Sequence, residues 1–79
     1  MSALEALYTF VKSAVSGVVD QSEKVEVEVL ESGSRTITLI IKCDPDDLKF
    51  LHSRMKSIRH IAIAIAQRHK VLVNLIVNQ

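Results

Sequence analysis

Residues 24–31, KVEVEVLE, begin with a clean alternation between charged side chains and valine that runs from Lys24 to Val29. A strand places successive side chains on opposite faces, so this pattern demands a sheet covered on one side and wet on the other. Val25, Val27 and Val29 point one way, Glu26 and Glu28 the other. Glu31-Ser32-Gly33-Ser34 follows as a hairpin turn, with Gly33 able to supply the positive φ such turns need. Arg35 to Cys43 is then the returning strand. Ile37, Leu39, Ile41 and Cys43 face the core, and Thr36, Thr38, Ile40 and Lys42 face away. Three apolar residues in succession, Leu39, Ile40 and Ile41, mark it as a central strand.

A hairpin alone is not stable in water, and helices must cover it. Ser2 to about Val19 predicts one. Leu4, Leu7, Tyr8, Val11, Ala14, Val15 and Val18 form a stripe, and Ser2 with Glu5 three residues on forms a capping box. Phe10 falls at the edge of that stripe. Asp44-Pro45-Asp46-Asp47 is a strong helix start, with Asp44 as cap, Pro45 in the first turn and two acids at the positive end of the dipole. The pattern predicts a short helix burying Leu48 and Leu51, with Phe50 near them, that ends around His52 or Ser53. A basic turn, His52-Ser53-Arg54-Met55-Lys56, would lead to a third helix, Ser57 to Arg68, with Ile58, Ile61, Ala62 and Ile65 inward. IAIAIA also has period two, but alanine favours helix over strand. Val71 to about Asn78 is the last strand, with Val71, Val73, Leu75 and Val77 inward.

The order is α-β-β-α-α-β in one domain, residues 1–79, an α+β chain with three helices on one face of a three-stranded sheet. A chain this short buries only about 60% of its unfolded surface, so partner burial would help it. The hydrophobic fraction is 48%, and the core must be aliphatic. The single Cys43, at the end of an apolar strand, reads as an inert buried thiol in a reducing compartment. The N-terminus lacks a secretion-signal pattern, and no apolar run reaches the ~20 residues a membrane span needs. The expectation is a cytoplasmic protein without membrane insertion.

That order resembles a type II KH domain, and in detail the small stand-alone bacterial KH proteins of the KhpA type. The resemblance covers nearly the whole chain. It rests on the N-terminal helix, the Val/Glu hairpin, Cys43-Asp44-Pro45-Asp46-Asp47 entering the first core helix, and Ile58, Ile61 and Ala62 in the second. It implies a mixed sheet with strand two central, antiparallel to strand one and parallel to strand three. The family binds nucleic acid at a G-x-x-G turn between its two core helices. Here that turn falls at Ser53-Arg54-Met55-Lys56, or one residue earlier, and lacks both glycines. Glycines let a nucleic-acid backbone approach the loop's N–H groups, which side chains obstruct.

Two functions are expected from these residues. The first is weak, largely sequence-independent RNA binding through Lys49, Ser53, Arg54, Lys56 and Arg59. Residues 48–79 hold six Lys/Arg and no acid, while residues 1–47 hold all nine acids, and Lys and Arg bind phosphate through side chains alone. The alternative is a divergent KH-fold interaction or dimerisation module that has lost RNA binding, working through Phe10, Ile40, Met55, Ile63, Leu72 and Ile76. Ile40, Leu72 and Ile76 would form an apolar patch on the outer sheet face. The resemblance implies a homodimer, or a heterodimer with a second KH-containing protein. No phosphate loop, metal-ligand spacing or catalytic dyad is present, so no enzyme, metal or cofactor is expected.

Overall fold

The computed structural model describes residues 2–32 and 35–78. Helix α1 (Ala3–Ser16) is followed by a 3-10 turn (Ser22–Lys24) and strands β1 (Glu26–Ser32) and β2 (Thr36–Lys42). A second 3-10 turn (Pro45–Asp47) leads into helix α2 (Leu48–Arg68), and strand β3 (Leu72–Val77) closes the sheet. The sheet order is β1-β2-β3, antiparallel between the first two strands and parallel between the last two. The fold is α+β with a mixed open sheet and a central β2, as the apolar run at 39–41 required. Of the hairpin turn expected at Glu31-Ser32-Gly33-Ser34, Glu31 and Ser32 are instead the last residues of β1, paired with Ile37 and Thr36, and Gly33-Ser34 lies outside the described residues.

Helix α1 starts as its sequence dictates. Ser2 Oγ accepts the Glu5 N–H at 3.1 Å, and Glu5 returns a bond to the Ser2 N–H at 3.3 Å. Its buried stripe is Leu7, Val11 and Val15, while Leu4 is exposed. Gly17 caps its other end.

The expectation of two helices joined by a turn at residues 52–56 is corrected. Residues 48–68 form one unbroken helix of 21 residues, so the described chain has two α-helices and not three. The physical reason is in the residues. Nothing between Leu48 and Arg68 is a glycine or a proline, and Leu51, Met55, Ile58, Ala62 and Ala66 recur at helical spacing and are all buried. Met55, expected in an exposed turn and at an interface, is 3% exposed and belongs to the core. The phase this stripe imposes turns Ile61, expected inward, to solvent at 49% exposure. Ile65 is half-buried against the core, and Phe50 lies exposed. Small Ala62 and Ala66 occupy the inward positions, and the bulkier Ile61 and Ile63 stand outside.

Helix α2 stops without a glycine. The Val71 N–H reaches back to the Ala66 carbonyl at 3.0 Å, and Lys70 takes the left-handed conformation with φ 58°. That geometry closes helix ends well but favours glycine, so Lys70 carries local strain.

The core lies between the helices and the inner sheet face. Leu39 and Ile41 of β2 are fully buried with Leu7, Val11, Val15 and Leu51. Val25 and Val27 join them, but Val29, expected inward with those two, is exposed. Asp47 is 2% exposed and is not merely a dipole-end charge. Its Oδ2 accepts the Gln21 N–H at 3.0 Å, tying the α1–β1 connection to the start of α2.

Candidate functional site

The five residues expected to meet nucleic acid all lie on α2, and all are exposed. They do not form one surface. At about 100° per residue, Lys49, Ser53 and Lys56 share a stripe opposite the buried one. Arg59 lies roughly 90° round the helix on one flank and Arg54 roughly 130° round on the other. His60, exposed on the same helix, extends the outer stripe to Lys49-Ser53-Lys56-His60. Ser53 Oγ donates to the Phe50 carbonyl at 2.8 Å, a bond within the helix. Lys49 Nζ sits 5.3 Å from the ring centre of its neighbour Phe50. With helical backbone through residues 52–56, the N–H groups there are spent within the helix, and any contact to phosphate falls to side chains.

No acid lies on α2, and the ion pairs of the described residues are elsewhere. Lys24 bonds Asp44 at 3.1 Å and Lys42 bonds Glu28 at 2.8 Å. The Asp46 backbone N–H, at 2.9 Å, and then Lys24 hold the Asp44 carboxyl below the usual carboxylate range. Hydrogen bonding and charge from Glu28 push the Lys42 amine up. Burial, with Asp47 and Asp44 nearby, pushes the Cys43 thiol up and disfavours its reactive thiolate. Its Sγ donates to the Asp44 carbonyl at 3.4 Å.

The other expected surface is the outer sheet face, which no helix covers. Ile40 and Ile76 are register partners on β2 and β3, and Leu72 partners Thr36. Leu72 is 69% exposed, Ile76 is exposed and Ile40 is half-buried. Leu30 on β1 joins them, exposed and opposite Thr38. Sequence reasoning left Leu30 out, although the alternation that turns Glu26 and Glu28 outward turns Leu30 outward too. Glu26 and Lys42 make the opposite end of this face charged, and Glu28 stands beside Ile40 in the register. Of the remaining expected interface residues, Ile63 is exposed on α2 and lines one cleft with Ile76 and Leu30 of this face, and Phe10 is half-buried against the core. Phe10 and Met55 therefore do not gather with Ile40, Leu72 and Ile76, while Ile63 meets the rim of that group at the β3 edge.

Among the described residues no three His, Cys, Asp or Glu side chains are placed to hold a metal ion, and no helix is long and apolar enough to cross a membrane. Comparison of the chain with protein-family models, with curated proteins and with solved structures finds no match.

Proposed function

We propose that this chain is a protein-interaction module on a KH-like framework, and that it associates with a second copy of itself through the uncovered sheet face. The observation that carries this reading is the apolar group Leu30, Ile40, Leu72 and Ile76 on the face no helix covers. The sheet order and strand directions are those the KH resemblance implies, which supports the framework. The unbroken α2 departs from it at the position where the family clamps nucleic acid. An isologous contact brings the apolar end of the face against itself. Three strands about 4.8 Å apart and roughly 20 Å long present about 300 Å² of flat area. A stable interface buries about 800 Å² per partner, so this contact is weak and concentration-dependent. Sedimentation over a wide concentration range tests it. The wild type should shift from monomer to dimer, and Leu72→Lys/Ile76→Lys should remain monomeric with an unchanged circular dichroism spectrum. A wild type that stays monomeric at the highest concentration overturns the reading.

One observation favours a second reading, RNA binding. The outer stripe of α2 presents Lys49, Ser53, Lys56 and His60 in line, flanked by Arg54 and Arg59, with no acid on the helix. A phosphate backbone laid along it would be held by side chains, weakly and without sequence preference. Lys49→Ser/Lys56→Ser should weaken a low-salt mobility shift on all sequences and flatten its salt slope by about 0.7 per lost phosphate contact, and Arg54→Ser, on the far flank, should do less. Absence of any shift with the wild type would end this reading.

A further inference from the structure

We infer that the open edge of β3, overhung by Arg59, is a docking groove for an extended segment of a second protein in which acidic and apolar side chains alternate. This rests on reading the chain as an interaction module, but on the edge of the sheet and not on its face.

The edge is open on its backbone side. The Leu72 N–H donates to the Arg35 carbonyl at 2.7 Å and the Asn78 N–H to the Ile41 carbonyl at 2.9 Å, both toward β2. Successive residues of a strand turn their backbone groups to opposite sides, so those of Val73, Leu75 and Val77 turn outward. The Leu75 carbonyl shows this directly, because it accepts a long 3.4 Å bond from Arg59 Nη2 on the side away from β2. Strand β3 reads LVNLIV, with no proline and no charge. The other edge strand, β1, carries Glu26 and Glu28. Edge strands are ordinarily guarded by such charges; β3 carries none of its own, and only Arg59 of α2 reaches over it, on a long bond to the Leu75 carbonyl that an incoming strand would have to replace.

The edge is also grooved. A cleft of about 480 Å³ joins Arg59 and Ile63 of α2 to Val73 and Leu75, and continues over the strand onto the outer face, where Asn74 and Ile76 of β3, Thr38 of β2 and Leu30 of β1 line it. A second cleft, of about 310 Å³, joins Arg59 and His52 to Val77. Arg59 lines both, one on either side of it along the strand.

Charge selects the occupant. Arg59 has no carboxylate partner among the described residues, and no Asp or Glu follows Asp47 in the sequence. A second copy pairing antiparallel on this edge, in the register that uses Val73, Leu75 and Val77 together, centres on Leu75. That register sets Arg59 against its own copy, two like charges with nothing between them. A strand from another protein meets two different neighbours. Its side chains toward α2 face Arg59 and the His52 ring, which favours carboxylates. Its alternate side chains lie beside Leu72 and Ile76, which favours apolar groups. Main-chain bonds would supply affinity, and this alternation would supply selectivity.

The test uses the whole protein and two labelled, end-capped peptides, Val-Glu-Val-Glu-Val-Glu-Val and its Val/Lys counterpart. The Val/Glu peptide should bind about tenfold more tightly. It should slow amide exchange at Val73, Leu75 and Val77, and added salt should weaken it. Arg59→Glu should reverse the preference, and Arg59→Gln should abolish it; Arg59 is exposed, so both variants keep the core. Equal affinities, binding without protection of those three amides, or no binding at all overturns the proposal. So does protection of the same amides that grows with protein concentration alone, since a second copy would then hold the edge. If the peptides fail while the wild type still dimerises in the centrifuge, only the edge proposal falls. If both fail, the interaction reading falls with it.

Discussion

Replacing Ser53 and Lys56 together by glycine, and in a parallel variant by alanine, asks directly whether residues 52–56 are helix. Both positions lie inside α2 and both side chains are exposed, so packing changes little. In a helix interior glycine is about 1 kcal/mol worse than alanine, and serine and lysine fall between them. The helical structure therefore orders stability as Ala/Ala, then wild type, then Gly/Gly. The two extremes should differ by about 2 kcal/mol, two glycine-for-alanine differences summed. For a domain of this size each kcal/mol moves the melting temperature by roughly 4–8 °C, so the extremes should lie roughly 8–16 °C apart. Thermal unfolding followed by circular dichroism at 222 nm measures this. A glycine-type turn gives the opposite order, because alanine resists the backbone conformations that glycine adopts freely. A Gly/Gly variant as stable as the Ala/Ala variant, or more stable, refutes the continuous helix and restores the two-helix arrangement that the KH resemblance implies.

Two further substitutions probe joints of the fold. Asp47→Ala leaves the Gln21 N–H without its acceptor in a part-buried site, which should cost about 1–3 kcal/mol in denaturant unfolding. Asp47→Asn keeps an acceptor oxygen and should recover most of that loss; equal losses for the two variants would show that the bond is not the cause. Lys70→Gly should stabilise the protein by about 0.5–1 kcal/mol by relieving the left-handed backbone at φ 58°. A loss of stability at that position would place the strain elsewhere.

Much of the architecture was legible in local patterns. The Val/Glu alternation located β1, the Leu39-Ile40-Ile41 run marked β2 as central, and Ser2 with Glu5 announced the start of α1. The length of α2 was legible too, but in a stripe not followed through. Met55 stands four residues after Leu51 and three before Ile58, so it continues the buried row. Assigning it to a turn cut that row in two and set the wrong phase for Ile61. The Asp47–Gln21 bond spans 26 residues, and no local pattern shows such a contact; the acids after Pro45 were fully explained by the helix dipole alone. On the outer face, alternation sufficed for Ile40, Leu72 and Ile76, and applied one step further it would have included Leu30. The basic residues show the converse. Their number was plain from the sequence, but their scatter around α2 follows from the helix phase, which buried contacts determine.

The parallel pairing of β2 with β3 has a consequence in time. Every β2–β3 partner pair, from Thr36 with Leu72 to Ile41 with Val77, is 36 residues apart along the chain. The β1–β2 pairs close within a single hairpin. Closing the longer loop costs more chain entropy, and the crossover must traverse α2 before any β3 bond forms. The hairpin and α2 therefore have a head start, and β3 docks last. Until it does, the apolar TITLII run of β2 has an unpaired side, and a neighbouring chain can reach it as readily as the chain's own β3. Dilution during refolding should therefore favour the native pairing, because it slows the encounter between chains and leaves closure within one chain untouched.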